Sequence, residues 1–523
     1  MNRADMWERL GGIEGGVADI AIIGGGATGL GIAVDAASRG HKVVLVEQAD
    51  FAKGTSSRST KLVHGGVRYL KQGNVSLVLE ALHERGLLCR NAPHLVHPLP
   101  FIIPVYHWWE GPFYGAGLKM YDALAGELGM EPSRLLTPEE TLELLPTIET
   151  QGLTGGIIYH DGQFDDARLA IHLAMTAATH GAVLLNYTRC IGLSKENGHV
   201  QGVEIIDDET GEIAVVRARC VINATGVFVD RLRQLDRPGA PNLVSPSQGV
   251  HLVLPRSFLP GDAAIMIPKT DDGRVLFAVP WHDRVILGTT DTAVESPDLE
   301  PRPLPEEIEF LLKHAARYLT RDPTAADVLS AFAGLRPLVA AQDDEDTASL
   351  SRDHTIEVAA SGLITITGGK WTTYRRMAED AVDQAQWVAG LNAAPCVTES
   401  LRLHGATAEV STDVFGSDRA AIAELEKSLV DGALVATAAV SITRGEVAWF
   451  AREEMARSVE DVLARRTRWL LRDARASIAA APMIARWLSE ELGRDSAWVA
   501  AQESAYATLA VGYLLTSEIA NHE

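Results

Sequence analysis

The stretch DIAIIGGGATGLGIAVDAASRGHKVVLVE, residues 19–47, decides the fold. Residues 19–23 form a short continuous apolar run, the pattern of a strand buried on both faces of a parallel sheet. Gly24, Gly26 and Gly29 follow at once in G-x-G-x-x-G spacing, with Ala27 and Thr28 between them. Residues 27–39 then read as a helix and residues 42–47 as a second buried strand. The glycines allow a tight turn and a close backbone approach, so that a pyrophosphate can rest on the helix N-terminus. Glu47 ends the second strand at the distance expected of a carboxylate that accepts ribose hydroxyl hydrogen bonds. The unit therefore opens a dinucleotide-binding α/β fold.

Further along the chain, residues 168–180 read as a helix, and residues 183–216 are strand-rich. VINATG, residues 221–226, and ITGGK, residues 366–370, are two further strands that end in glycine. Strand ends that return from remote sequence are expected of a flavin site and are not required by a single NAD unit. Ala224, Thr225, Gly226, Gly369 and Lys370 are accordingly candidate cofactor contacts. Trp371, Thr372 and Thr373 would open a helix whose positive end faces the flavin ring, where negative charge builds on reduction. Between residues 249 and 291 the segments GVHLVL, AAIMIP, RVLFAVPW and RVILGTTD come at close spacing and suggest a separate, mostly antiparallel sheet. Residues 305–319 read as a helix. After a boundary near residues 392–398 the chain turns alanine-rich and strand-poor, which predicts an all-helical C-terminal domain.

The chain has 523 residues and carries 69 Asp+Glu against 47 Lys+Arg, a formal charge of −22. That balance argues against nucleic-acid binding, although a local basic pocket can sit inside an acidic shell. Cys89, Cys190, Cys220 and Cys396 show no CxxC pattern and suggest free thiols in a reducing compartment. No secretion signal is read at residues 1–16, and no apolar run is long enough to predict a transmembrane helix. His94, His97 and His107 lack carboxylate partners at metal spacing and read as structural or surface residues, so no metal is expected.

One stretch stands out chemically: TSSRSTKLVHGGVRYLKQG, residues 55–73, where hydroxyls, cations and glycines crowd together. Taken in order with GGGATG, DDARL, INATG, SQGVHLV, GTTD, GLRPL, SRDHTI and GGKWTTYR, it resembles the FAD-dependent, quinone-linked glycerol-3-phosphate dehydrogenases. The resemblance covers residues 17–390 and extends into the helical domain through residues 452–468. It implies an α/β chain with a Rossmann-like FAD-binding domain of the glutathione-reductase and amino-acid-oxidase type. That domain would be discontinuous, residues 17–95, 150–245 and 350–390. An antiparallel-sheet substrate domain would take residues 96–149 and 246–349, and the helical domain residues 399–523.

The resemblance also implies roles. Thr55, Ser56, Ser57, Ser59, Lys61 and Leu62 would wrap the FAD diphosphate and flavin, with Lys61 adding charge. His64, Gly65 and Gly66 would pass beside the flavin ring, and Gly334 would add a further contact. Arg68, Tyr69, Thr289, Arg336, Arg352 and Lys370 would bind glycerol 3-phosphate, whose phosphate calls for several forked or charged donors. His251 is the first candidate for the base that removes the hydroxyl proton, because an imidazole titrates near neutral pH. His64 is the rival, and Arg336 and Lys370 would stabilise the developing alkoxide. Electrons would pass to a membrane quinone from a cytoplasmic enzyme held peripherally on the inner face of the cell membrane. The aromatic segment 105–126 could touch lipid or a quinone, but core or a homodimer interface is the preferred reading. Two alternatives stand beside this one: an oxidase that passes electrons to oxygen and forms peroxide, and a silent flavin-binding module.

Overall fold

A computed structural model describes residues 1–66, 74–268, 270–271, 273–339, 354–407, 413–432 and 434–515. Its first sheet is built around the strand Ala18–Ile23. That strand pairs in parallel with Val43–Val46 on one side and with Ile213–Asn223 on the other. Val183–Leu185 extends the sheet beyond Val43–Val46, and Ile364–Gly368 extends it beyond Ile213–Asn223, both in parallel. The register sets Ile23 beside Asn223, and Asn223 beside Thr365. The three glycine-ended strands therefore finish side by side at one edge, the carboxyl edge where open α/β sheets bind nucleotides. The residues of Ala18–Ile23 and Val43–Val46 are buried almost throughout, which is why these strands read as unbroken apolar runs.

Helices Ala27–Ser38, Asp166–Thr179 and Tyr374–Val388 contribute to the apolar core shared with this sheet. Gly31 permits the first and third of them to meet closely, since a Cβ there would lie 2.8 Å from the Tyr374 ring.

The second sheet is mostly antiparallel. The long strand Val244–Pro255 lies between Arg284–Gly288 and Ser330–Val339, with Leu276–Trp281, Ala264–Ile267 and Val96–Val105 following outward. Gly155–Phe164 and Leu62–Val63 complete the far edge. Both belong to this sheet by hydrogen bonding, although the boundaries drawn from sequence put them with the nucleotide-binding part. Short strands that begin and end at domain junctions carry no local mark of which sheet they join.

From residue 413 onward the described chain is helices and turns, among them Arg444–Glu453, Ala474–Leu492 and Ser496–Val511. Their core side chains, such as Phe450, Leu470 and Leu488, belong to one apolar cluster with Trp281 and Phe332 of the second sheet. The helix Glu110–Ala125 turns Leu118 and Tyr121 inward. Trp108 and Phe113 are 85% and 53% exposed, and Trp109 and Met120 are also exposed, so only part of this segment serves the core. No described helix is long and apolar enough to cross a membrane.

Candidate active site

The glycine turn is built so tightly that side chains cannot enter it. A Cβ on Gly24, whose φ is +112°, would stand 2.6 Å from the Ala224 carbonyl oxygen, and one on Gly29 would stand 1.9 Å from the Gly24 oxygen. Gly26 heads the helix Ala27–Ser38 without any side-chain cap of its own, leaving a helix N-terminus of the kind that accepts a phosphate. The Ser56 hydroxyl receives the Ala27 N–H at 2.9 Å and so ties residues 55–57 to that turn. The Glu47 carboxylate accepts the N–H groups of Gly25 at 2.6 Å and Ala49 at 3.0 Å. Burial pushes its pKa up, and the two N–H groups oppose that rise. Thr225 lies at the neighbouring strand end, its hydroxyl donating to Asn223, and the Gly226 oxygen accepts from Thr367.

Residues 55–61 show where local sequence misled. Lys61 is fully buried and donates to Asp166 at 2.6 Å and to the Ser57 oxygen at 2.9 Å. Arg468, from the helical domain, donates to the same Ser57 oxygen at 2.7 Å and to Asp166 at 2.8 Å. The backbone N–H and the hydroxyl of Ser59 both donate to Asp166 as well. Burial pulls the Lys61 ammonium down to about 7 against the attraction of Asp166. The expected phosphate-facing role of Lys61 is therefore corrected: its donors are taken up inside the protein. Asp166, its charged partner, lies 105 positions away, so the loop alone could not reveal it. Arg58 likewise turns to Glu300, at 2.6 Å. The Thr55 hydroxyl donates to the Leu335 oxygen, and the Ser56 oxygen accepts the Trp371 indole N–H at 2.9 Å.

A cavity of about 310 Å³ opens between the two sheets. Thr55, Ser59, Leu62, His64, Gly66, His251, Thr289, Gly334, Arg336, Gly369, Lys370 and Thr372 all line it, so residues remote in sequence converge there. Arg336 is fixed by Asp291 at 3.2 Å, by the Thr289 hydroxyl at 3.2 Å and by the Thr290 oxygen at 2.9 Å. Strand register makes this possible, because Ser247 pairs with Arg336 and its hydroxyl donates to Asp291. Gly334 is needed where it stands, since a Cβ would lie 2.8 Å from the Arg58 oxygen. The Thr373 hydroxyl donates to the Lys370 oxygen at the head of the helix Tyr374–Val388. Arg68, Tyr69 and Arg352 lie outside the described residues.

His251 faces the cavity while Val250 and Leu252 point into the apolar core behind it. Its Nε2 lies 2.8 Å from the Thr60 hydroxyl, and its ring stacks on Phe332 at 4.9 Å between centroids. Gly288 makes room for the ring, because a Cβ there would come within 2.2 Å of it. Burial, with Lys61 and Arg336 adding positive charge, holds the His251 pKa well below 6.5. The expectation that it titrates near neutral pH is thereby corrected; the ring is neutral there. The His64 backbone N–H donates to the Thr372 hydroxyl at 3.2 Å, which joins two of the expected cofactor segments.

Sequence reasoning missed Thr60, Asp161, Arg274 and Asp291 as cavity residues. Thr60 and Asp291 had usable signals, in their places in the 55–73 stretch and in GTTD. His94, expected to be structural, is buried against His172 with 2.9 Å between ring nitrogens.

The residues present fit FAD: a side-chain-free turn at a helix N-terminus, a carboxylate at the end of the second strand, and a cavity where three strand ends meet. Comparison with known proteins agrees. Residues 19–375 match the family described as FAD dependent oxidoreductase, and residues 362–499 match the C-terminal domain of alpha-glycerophosphate oxidase. The mitochondrial glycerol-3-phosphate dehydrogenase of Mesocricetus auratus is 47% identical over 402 residues, covering 74% of this chain and 55% of that relative. The Homo sapiens protein of the same name is 40% identical over 518 residues, covering 91% of this chain and 71% of that relative. A crystal structure of the glycerol-3-phosphate dehydrogenase from Bacillus halodurans complexed with FAD superposes with a TM-score of 0.81 at 30% identity, covering 98% of each chain.

Proposed function

The chain belongs to the FAD-dependent glycerol-3-phosphate dehydrogenase family, and from that premise we propose that it oxidises sn-glycerol 3-phosphate to dihydroxyacetone phosphate and passes the electrons to a quinone. When bound, FAD supplies the hydride acceptor. Gly24, Gly26, Gly29 and Glu47 hold its nucleotide end, and His64, Gly65, Gly66, Gly369 and Thr372 border its reactive end.

The observation that carries the reading is that Arg336 and Lys370 line the same cavity, Lys370 just after the strand Ile364–Gly368. Two cations there suit a phosphorylated substrate far better than an amino acid or a neutral alcohol. Thr289 orients Arg336 and lines the same cavity. His251 is kept neutral; its Nδ1 is buried without a partner among the described residues and its Nε2 meets the Thr60 hydroxyl, so the hydroxyl proton would reach the ring at Nε2, by way of or in exchange with Thr60. The positive charge of Arg336 and Lys370 then favours the oxyanion over the alcohol.

Electron exit requires a route to the acceptor. Trp108 and Trp109, just before the helix Glu110–Ala125, and Phe113 and Met120 on it are exposed and suit the apolar boundary of a membrane. They form the proposed site of peripheral contact. Steady-state turnover with a soluble quinone analogue tests the whole assignment: glycerol 3-phosphate supports turnover, and glycerol, which lacks the phosphate, does not. Equal turnover on glycerol would contradict the role given to Arg336 and Lys370.

A further inference from the structure

The peptide of Gly65 is pinned by a buried polar cluster that the chemistry above does not use. The Gly65 N–H donates to the Tyr121 hydroxyl at 2.8 Å and, more distantly, to Asp161 Oδ1 at 3.4 Å. The Tyr121 hydroxyl donates in turn to Asp161 Oδ2 at 2.9 Å. Arg85 donates to Asp161 Oδ1 at 2.7 Å, and its guanidinium lies 5.9 Å from the centre of the Tyr121 ring. Tyr121, Asp161 and Arg85 are all 3% exposed or less. Three separate elements meet here: Arg85 comes from the helix Val75–Asn91, Tyr121 from Glu110–Ala125 and Asp161 from Gly155–Phe164.

The fit is close. A Cβ on Gly65 would lie 2.5 Å from the Tyr121 hydroxyl and 2.5 Å from Leu82. On its other side the segment is held by the His64 N–H donating to Thr372. Residues 64 and 65 are thus clamped between the helix that follows GGK and the Tyr121 cluster. His64, Gly66 and Asp161 line the cavity, whereas Tyr121 and Arg85 do not.

We propose that Tyr121 is a positioning residue for the oxidation. Its hydroxyl, held by Asp161 and Arg85, fixes the Gly65 peptide and with it the cavity wall from His64 to Gly66. A buried hydroxyl that both accepts from a backbone N–H and donates to an ion-paired carboxylate has one stable orientation, so it defines the peptide plane beyond it. Small displacements of such a wall change reaction rate more than substrate affinity. This proposal rests on the glycerol 3-phosphate reading above.

The test is Tyr121→Phe in the purified FAD-loaded protein. The ring stays, and only the hydroxyl is lost. Turnover and anaerobic flavin reduction should both fall about five- to tenfold, the scale set by one buried hydrogen bond. The KM for glycerol 3-phosphate should stay within about twofold, and the visible flavin absorption band should shift. Arg85→Lys keeps a cation beside Asp161 but loses the fork, and should give a smaller change of the same kind. Loss of thermal stability in Tyr121→Phe with an unchanged flavin band and unchanged turnover would overturn the proposal and leave a purely structural hydroxyl. Should the unaltered protein fail to oxidise glycerol 3-phosphate, the substrate assignment falls, while the flavin band of the two variants still decides the role of Tyr121.

Discussion

Lys61 and Asp166 form an ion pair at 2.6 Å with both side chains fully buried, and Arg468 shares the same carboxylate. The helical domain thus reaches through the molecule to the loop that ties Ser56 to the glycine turn. It does not stand alone there. Arg465 and Arg466, adjacent in the same segment, both donate to Asp50, three residues beyond Glu47. The two loops that border the nucleotide site are each anchored by arginines from the C-terminal part of the chain. Such pairs contribute little net stability relative to an apolar replacement of the whole set, but removing one member leaves a charge uncompensated.

Lys61→Met should therefore destabilise the protein by about 3–5 kcal/mol, since Asp166 would keep only one of its two cations. Thermal unfolding of the FAD-loaded protein at a fixed scan rate measures this. An unfolding temperature equal to that of the parent would show that the pair is not what holds residues 55–61.

Gly26→Val should yield protein without bound flavin. Even a single Cβ at this position would lie 3.0 Å from the Ser56 hydroxyl, and the branched side chain would push that hydroxyl off the Ala27 N–H and cover the helix N-terminus. The ratio of flavin to protein absorbance after purification reads the outcome directly, and a fully flavinated variant would contradict the placing of the diphosphate.

Arg336→Met should retain FAD but lower kcat/KM for glycerol 3-phosphate by about 10- to 100-fold, the loss of one charge-assisted hydrogen bond or more of about 1.5–3 kcal/mol each. The variant also leaves Asp291 without its arginine partner, adding negative charge to the cavity. Unchanged kcat/KM would remove Arg336 from the substrate site.

The pH dependence follows from His251. Its pKa is depressed in the fold, so flavin reduction should show no loss of rate near pH 6.5 from protonation of this ring. The same depression has a stability consequence. Below about pH 6.5 the unfolded chain takes up a proton at His251 that the buried ring refuses, so its contribution to stability declines as pH falls. His172, also well below its ordinary value, and His94, lowered to about 4, act in the same direction. In His251→Gln, flavin reduction should slow while reoxidation stays the same, and the acid-dependent fall in unfolding temperature should become smaller. An unchanged reduction rate would pass the role of base to His64.

The fold was legible where its signals are local. Residues 19–47 carry their own strand period, turn glycines and helix, and the strands ending at Gly226 and near Gly369 announce themselves by apolar runs closed with glycine. The convergence of Arg336, Thr289 and His251 was legible through the family pattern; from the residues alone it depends on the register that sets Ser247 opposite Arg336. The roles of Lys61 and Arg58 were illegible because a cation in a loop looks the same whether its partner is a phosphate or a carboxylate. Asp166 lies 105 positions from Lys61, and Glu300 lies 242 from Arg58. Burial of His251, which decides its protonation, depends on Phe332 and Thr60 meeting its ring from other segments, and no single strand carries that information.

Oxidation of glycerol 3-phosphate with electron transfer to a quinone can be read by mixing the flavin-loaded protein with glycerol 3-phosphate in the absence of oxygen and following the flavin absorption band, then admitting a quinone analogue or air. The band should bleach, the quinone analogue should restore it rapidly, and air should restore it slowly. A band that does not bleach would contradict the substrate assignment, and recovery in air as fast as with the quinone analogue, with peroxide formed, would replace the dehydrogenase by an oxidase.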